Sequence, residues 1–538
     1  MTGRVCIAGD GPCAVNTAKE LLIHGIDTVL VSRRKIAQSE LPDNMSREGG
    51  AGISVYGNAE ISGCSGCVND FRITIHQNGA GAITENVTGI VIAEEYQRKD
   101  NFETYGLKPS HAVTSLSEMV RVMENKSDQV AFPPKGSGIL FLTGCFQESN
   151  PVVLYDVMNC ALQLRKEYHQ DVFILTGNLK VAGEGLEALY RQTRTAGVFY
   201  IKVNQVLPEI EQSDEGKVTV SCQDEILHTA MRLSPDLVVV DETLLPSEYL
   251  MKLAKVFELN QDKAGFLQSD NVHRNPVFTN RRGVLVVGPS RGILERREIL
   301  NDVGNVTIAM MNQIRGKIDS ASVGKARIGV VECARCLTCF RICPYKAIRL
   351  EDRVTVYEDA CEGCGICIAE CPREYITWTG PGMADELEKI QISGIADPAD
   401  RFSPVMVAFC CQRSAGRSVR TAKDRSPELP EGLKIVEVPC AGGISTDHIL
   451  RTFQKGADGI ILLTCHPGNC HSEVGNQYAK SRADHVGKRL SAMGFEKERL
   501  QVDTIAANMD REFVRVINSF QKKLMEIGPS LIRKSLKH

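Results

Sequence analysis

Short apolar runs, each bounded by glycine, an acid or a turn, alternate along this chain with longer stretches whose apolar positions recur at helical spacing. Through the first three hundred residues the runs are Val5–Ala8, Thr28–Val31, "GIVIAEE" (89–95), "GILFLTG" (138–144), "DVFILTG" (171–177), "DLVVVDE" (236–242) and "GVLVVG" (283–288). Stretches such as "VVLYDVMNCALQLRKEY" and "GLEALYRQTRTAG" lie between them and read as helices. Uninterrupted apolar strands alternating with helices predict a parallel sheet covered on both faces. The same rhythm returns after Pro404, with "VMVAFCC", "KIVEVPC", "GIILLTC" and "LQVDTIAA" as strands. The stretches "TDHILRTFQKG", "EVGNQYAKSRADHVGKRLSAMG" and "REFVRVINSFQKKLMEIG" read as the helices of that second α/β unit. Between the two units the runs shorten to "RIGVV", "AIRL", "VTVY" and "YITW", which flank two cysteine-rich segments.

Those segments are "CARCLTCFRICP" and "CEGCGICIAECP". Each C-x2-C-x2-C run wraps three thiolates around one iron–sulfur cube, and the cysteine before proline reaches the other cube. The spacing therefore assigns Cys333, Cys336, Cys339 and Cys371 to one [4Fe–4S] cluster. Cys361, Cys364, Cys367 and Cys343 hold the second. Zinc is the competing reading, but its sites pair two separated C-x2-C elements rather than two matched runs ending in Cys-Pro.

The three late strands also end in thiols: Cys410 and Cys411, Cys440, and Cys465, with Cys470 one turn on in "CHPGNCH". Carboxyl ends of parallel strands gather along one sheet edge, so five thiols are expected to meet there as a metal site. A [2Fe–2S] cluster is preferred to zinc beside the ferredoxin segments, with His466 and His471 as alternative ligands or hydrogen-bonding neighbours. Which four of the five thiols bind is open. Cys6, Cys13, Cys64, Cys67, Cys145, Cys160 and Cys222 complete no ligand spacing and are read as buried structural thiols.

At the start, "RVCIAGDGPCAVNTAKELLIHGIDTVLVS" reads as strand, glycine turn, helix, strand. Gly9, Gly11, Pro12, Cys13 and Ala14 fit G-x-G-x-x-A, a turn that lets a pyrophosphate approach a helix N-terminus. The second strand should end in an acid for the ribose hydroxyls, and Ser32-Arg33-Arg34 stands there instead. An arginine suits a 2′-phosphate, so local evidence leaves FAD and NADP both open. After Thr143-Gly144 no second complete glycine fingerprint appears, and that nucleotide-binding half is expected to be vestigial.

Composition narrows the class. Hydrophobic content of 43% and charged content of 24% are those of a globular chain with several cores. A formal net charge of −3 gives no case for nucleic acid or anionic lipid. The apolar runs fall short of the roughly 18–20 residues a spanning helix needs, and "MTGRVCIAGDG" lacks the form of a signal peptide. A cytoplasmic chain is expected, peripheral to a membrane only through a partner. Thirteen of the twenty cysteines lie between Cys333 and Cys470, a concentration that fits metal binding better than disulfides.

Two resemblances sharpen this. "CCQRSAG…VPCAGGISTDHILRTFQKGADGIILLTCHPGNCHSEVGNQYAKSR" resembles the delta subunit of methyl-viologen-reducing hydrogenase, over about 404–528. That family tends to carry a third cysteine after the first pair, where Gln412-Arg413-Ser414 provides none. Residues 1–380 resemble the flavin-carrying A-type subunit of heterodisulfide reductase, through the ferredoxin runs, "EGLEALYRQTRTAGVFYIKV" and the closing strand "GVLVVGPSRG". In two-dinucleotide-binding flavoproteins, which this strand also resembles, the closing strand meets the flavin, which implies backbone contacts from Gly288 and Gly292; Pro289 replaces their usual Asp, which the A-type family lacks too. The family's cysteine-rich N-terminal extension is not expected here, and Val153–Cys160 replaces its cysteine-dense helix. The fusion is similar in arrangement to the B-type subunit of the quinone-interacting membrane-bound oxidoreductase.

The expected domains are a Rossmann-like FAD-binding domain (1–323), a two-cluster ferredoxin domain (324–380), a linker (381–403), a delta-like α/β [2Fe–2S] domain (404–528) and a solvated basic tail (529–538). The resemblances imply an electron-transfer subunit of an oxidoreductase with FAD, two [4Fe–4S] clusters and one [2Fe–2S] cluster, and no small-substrate site of its own. It would link a quinone-interacting module to adenylylsulfate reductase. Its partners would be a second flavin subunit and membrane or heterodisulfide-reductase-like subunits. The alternatives are a subunit of a heterodisulfide-reductase-like or benzoyl-CoA-reductase-like bifurcating complex, a docking scaffold that has lost flavin, and a stand-alone NADPH oxidoreductase.

Overall fold

The computed structural model describes residues 3–535 apart from 42–51, 78, 80, 126–133, 204–206, 227, 268–274, 317–323, 330–332, 380–401 and 426–428. The first apolar runs form a five-stranded parallel sheet in the order Val284–Val286, Gly89–Ile92, Arg4–Ala8, Asp27–Val31, Ile53–Tyr56. Four of these strands are buried on both faces for most of their length, which is why they read as unbroken apolar runs. The helix Pro12–Ile23 follows the first strand directly, with proline at its first position, where a missing N–H costs nothing.

A second five-stranded parallel sheet takes the order Phe199–Lys202, Asp171–Thr176, Gly138–Thr143, Leu237–Val240, Val113–Ser115. The second nucleotide-type half is thus complete as a fold. Its first strand does not turn straight into a helix, however. Gly144 adopts a left-handed conformation and gives its N–H to the Asp241 carboxylate at 2.8 Å. The helix Pro151–Lys166 begins only after Asn150, whose side chain caps Val153 N–H at 3.0 Å.

Two antiparallel sheets were not among the expected elements: Ala59–Cys67, Asp70–Gln77 and Ala82–Val87, and Glu209–Gln212, Val218–Asp224 and Thr229–Leu233. Their signal is alternation rather than apolar runs. In "DFRITIHQ" the residues Phe71, Ile73 and Ile75 are buried between outward polar neighbours. Cys64 and Cys67 sit half-buried on the first of these sheets, against the ferredoxin segment.

The ferredoxin strands pair as Ala326–Ile328 with Ile376–Trp378 and Ile348–Leu350 with Val354–Val356. One continuous core joins this unit to the sheet 59–87 and the helix Glu248–Phe257, with Phe71, Phe257, Tyr345 and Ile348 all inside it. Ion pairs Arg349–Glu258 (2.5 Å) and Arg282–Glu362 (3.5 Å) cross the same contact.

The last unit is a four-stranded parallel sheet in the order Leu433–Val438, Met406–Cys411, Gly459–Thr464, Leu500–Thr504. Val407, Phe409 and Cys411 face the helices Thr446–Gln454 and Gly475–Ala492, while Met406, Ala408 and Cys410 face Ala415–Arg425 and Asp510–Ile527. The linker expected at 381–403 falls almost wholly outside the described residues. The expected solvated tail needs correction. Ser530 is buried, and Arg533 binds the Ser403 carbonyl and the buried Asp458 carboxylate. Among the described residues no helix is long and apolar enough to cross a membrane.

Asp458 holds this end together, accepting the N–H groups of Val405 (2.8 Å) and Ser530 (2.9 Å) besides Arg533. Its loss would leave Arg533 short of its carboxylate and two buried N–H groups unbonded. Asp458→Ala should therefore lower unfolding stability by about 3 kcal/mol, read as a fall in denaturant midpoint, whereas Lys534→Ala should change nothing measurable. An unchanged midpoint in Asp458→Ala would contradict this account.

Candidate functional site

The two cysteine-rich segments fold as a backbone repeat. Arg335 and Leu337 in the first take left-handed conformations (φ 51° and 59°), as Gly363 and Gly365 do in the second (62° and 74°). Lys346 and Glu374, each three residues after the last thiol, match likewise (53° and 57°). The repeated left-handed residues bend each segment into a loop around its thiols, ahead of the short helices Thr338–Ile342 and Ile366–Ala369.

Cys333, Cys336, Cys339 and Cys371 line one cavity with Ile328, Leu337 and Ile376. Burial and then the nearby Cys333, Cys336 and Cys371 push the Cys339 thiol up to about 11. Cys364 lies beside Cys367, Cys343 and Cys361, and its thiol is raised by burial first and by these neighbours next. Three thiols of one run thus gather with the fourth of the other, in both directions. Burial holds Cys339, Cys343, Cys364 and Cys367 above the ordinary thiol range, and they ionise more readily beside a cation such as iron, whereas the exposed Cys336 is lowered by its hydrogen bond to Thr338.

Four of the five late thiols also converge. Cys411 Sγ lies 3.6 Å from Cys465 Sγ, and Cys470 bonds to both Cys440 and Cys465. All four are 3% exposed or less. Ser414 Oγ, 3.3 Å from Cys465 Sγ, stands beside them in the segment where the resembled family tends to carry a further cysteine. Cys410 does not join them. Strand alternation turns it to the opposite face, near Glu437 and Lys423, where burial raises its thiol far above the ordinary range. His466 approaches Met509 Sδ at 3.4 Å, and the His471 ring lies 6.4 Å from that of Tyr345. Among the described residues no three His, Cys, Asp or Glu side chains close on a point that could hold a single metal ion. Ligands of a multi-iron cluster are spread wider, since they bind different iron atoms.

The second ferredoxin loop and the late thiol loops pack directly on each other. A side chain on Gly443 would stand 2.9 Å from the Cys364 carbonyl oxygen, and one on Gly442 would stand 2.8 Å from Ile366. One on Gly475 would collide with Cys440 Sγ. Arg482, 7% exposed, clamps this contact by donating to the carbonyls of Gly442 (3.2 Å) and Ile444 and to the Glu370 carboxylate at 2.5 Å. Tyr345, one residue past Pro344, gives its hydroxyl to Ser472 Oγ at 3.0 Å. Sequence reading missed Arg482, Glu370 and Tyr345, because nothing local marks a residue that bridges two units.

At the nucleotide turn, Gly9 lies so close to the end of the neighbouring strand that an added Cβ would overlap the Ala93 carbonyl oxygen. Ser32 is buried and bonds the Arg34 carbonyl at 2.8 Å. Arg33 pairs with Glu94 at 2.5 Å and Asp10 at 3.4 Å, and Arg34 is held by both oxygens of Glu40. Both guanidinium groups considered for a 2′-phosphate already have carboxylate partners. Glu94, 1% exposed, is pushed up to about 7 by burial and by Asp10, against the pull of Arg33. Glu95 Oε1 receives the Cys13 N–H at 3.4 Å and occupies the space where a side chain on Gly11 would begin. The phosphate seat of the turn therefore holds the chain's own carboxylate, and Ala14 beside it is fully buried. Gly288 gives its N–H to Asp302 at 3.1 Å and packs on Cys13, while Gly292 has open space at its Cα. Pro289 and Ser290 are buried, and Ser290 Oγ bonds both backbone groups of Glu94.

These observations define a class: a two-sheet nucleotide-type fold carrying a pseudo-symmetric unit of two matched cysteine loops and an α/β unit with four thiols at its sheet edge. Residues 406–528 match the family described as methyl-viologen-reducing hydrogenase, delta subunit. The chain is 31% identical over 137 residues to the D-type iron–sulfur subunit of the F420-non-reducing hydrogenase vhc of Methanococcus voltae, covering 26% of this chain and 95% of that protein. Through this unit the chain belongs to the delta-subunit family. It is also 25% identical over 373 residues to the A-type subunit of the ferredoxin/F420H2-dependent CoB–CoM heterodisulfide reductase of Methanosarcina acetivorans, covering 68% of this chain and 46% of that protein. The chain thus joins a part like the A-type subunit of heterodisulfide reductase to a delta-subunit part, and spans about half the length of those reductase relatives. Thioredoxin reductase of T. acidophilum superposes on 59% of the chain with 14% identity and a TM-score of 0.38.

The sheet-edge geometry generates a test. Cys440→Ala, Cys465→Ala and Cys470→Ala should each remove one paramagnetic signal while both ferredoxin signals persist, and Cys410→Ala should leave all signals intact. Electron paramagnetic resonance of the reduced proteins decides this. Loss of a signal in Cys410→Ala would show that the opposite-face placement is irrelevant to ligation.

Proposed function

We propose that this chain is an electron-transfer subunit of a multi-subunit oxidoreductase. Cys333, Cys336, Cys339 and Cys371 hold one [4Fe–4S] cluster, and Cys343, Cys361, Cys364 and Cys367 hold the other. Cys411, Cys440, Cys465 and Cys470 hold a [2Fe–2S] cluster. Bound there, iron–sulfur clusters supply reversible one-electron storage. The observation that carries the reading is the glycine-lined contact between the Cys364 loop and the Cys440 loop, which brings two buried thiol groups together within one chain.

The protein's part is to position and insulate. Gly442 and Gly443 permit backbone contact, Arg482 locks it to Glu370, and Tyr345 closes the gap beside Ser472. At the other end of the ferredoxin unit Cys336 is exposed, which leaves that thiol group accessible to a partner. Electrons exchanged there would reach the late thiols without leaving the chain, in either direction.

The fold of residues 1–323 would suit FAD, and its turn accepts a pyrophosphate only when Glu95 vacates the Cys13 N–H; the thiol relay needs no flavin. The complex we favour couples a quinone-interacting module to adenylylsulfate reductase, with the chain in the cytoplasm. A heterodisulfide-reductase-like or benzoyl-CoA-reductase-like assembly would use the same relay.

Anaerobically purified protein should contain about ten iron atoms per chain, four in each cube and two at the late site. A reproducible value near eight would remove the [2Fe–2S] assignment. Gly443→Val drives a side chain into the Cys364 carbonyl, so it should keep all the iron yet slow passage from the ferredoxin unit to the late site. Rapid-freeze spectra after partial reduction report this, and unchanged rates in a fully loaded variant would refute the contact as the electron path.

A further inference from the structure

The first helix has few free donors to offer a ligand. Pro12 has no N–H, and the Val15 N–H is bonded to the Gly11 carbonyl at 3.3 Å. Cys13 is the first residue of the helix with an N–H to give, and Glu95 takes it. The carboxylate meets the helix where a phosphate would, with charge of the same sign toward the same dipole. Its Cγ would overlap a Cβ added to Gly11, so the space that glycine leaves for a close-approaching ligand is already filled.

The surroundings oppose a second anion. Asp10 and Glu94 stand beside Glu95, and Arg33 is divided between those two neighbours. Arg34 is bound to Glu40, and Arg98 to Asp156 at 2.9 Å and Glu242 at 3.3 Å. Each of these three guanidinium groups near the turn already has a carboxylate partner. A dinucleotide diphosphate entering this seat must therefore displace Glu95 and face Asp10, drawing only on the guanidinium groups of Arg33, Arg34 and Arg98 that are already paired.

We propose that Glu95 is the residue that sets cofactor occupancy at this turn, acting as an internal substitute for the cofactor's diphosphate. The inference rests on the reading of residues 1–323 as an FAD-type fold. Glu95→Gly opens the seat and removes the competing charge; Glu95→Gln removes the charge and keeps most of the bulk.

The test is titration of the flavin-stripped full chain with FAD, followed by quenching of flavin fluorescence. Glu95→Gly should bind FAD about tenfold tighter than the unaltered protein or better, with Glu95→Gln between them. Adding Gly11→Val to the Glu95→Gly protein should abolish the gain. Equal affinity in the unaltered and Glu95→Gly proteins overturns the inference and leaves the flavin fold reading intact. Binding that survives Gly11→Val also overturns it, because the flavin would then sit elsewhere. Failure of every protein to bind FAD at millimolar concentration overturns the flavin reading itself, and the inference with it.

Discussion

Cys411, Cys440, Cys465 and Cys470 are sealed from water, and the Cys364 thiol lies against the same core. Burial raises the Cys364 thiol, and the bonded Cys440 thiol, ahead of burial, raises that of Cys470 against the pull of Cys465. Ionised together, such a grouping needs a cationic centre, and the architecture around it follows from holding two thiol groups side by side. The loops that carry the thiols must touch, so their contact positions are glycines. Touching loops expose carbonyls to a dry interface, so a buried cation, Arg482, satisfies those of Gly442 and Ile444. That cation then needs an anion, and Glu370 comes from the ferredoxin side.

The ferredoxin repeat shows the same logic through its asymmetry. Both halves need two left-handed residues, which cost a non-glycine residue roughly 1 kcal/mol each. The second half uses Gly363 and Gly365, and a Cβ added to Gly365 would stand 3.3 Å from the Gly443 Cα. The first half uses Arg335 and Leu337, and Arg335 reaches solvent. Conformation alone would favour glycine at all four positions. At Gly365 a neighbouring loop also excludes a side chain.

Much of this was legible in the sequence. Unbroken apolar runs marked both parallel sheets and the late one, because strands buried on both faces leave no alternation to confuse with a helix. Cysteine spacing indicated the crossed thiol sets before any coordinates, since C-x2-C-x2-C limits which thiols can share a cube. The late site was legible only as a group of five. Separating Cys410 from Cys411 needs the strand's orientation toward one layer of helices, and adjacent residues in a strand carry no label for that. The sheets 59–87 and 209–233 were missed where alternation is weak or broken by Gly63 and Gly66. Glu94 and Glu95 were visible as two acids at the end of a buried strand. Their meaning depends on which strand lies beside the glycine turn, a fact of topology rather than of local pattern.

The acids at the turn also show how the nucleotide-type fold is tied to the unit that carries the cysteine loops. Glu94 binds Arg33, and Arg33 lies over the ring of Tyr249 at 4.9 Å. The Tyr249 hydroxyl in turn receives the N–H of Ile61, in the antiparallel sheet that supports the ferredoxin unit. Ser247, at the start of the same helix, bonds Glu94 at 3.0 Å and caps Leu250. A chain of contacts thus runs from the glycine turn through one helix to the platform beneath the cysteine loops. Arginine at position 33 serves that chain by reaching both Glu94 and the aromatic face, which an acid for ribose hydroxyls would not do. Arg33, which departs from a nucleotide fingerprint, is thus a residue that ties the first domain to the platform on which the thiols are held.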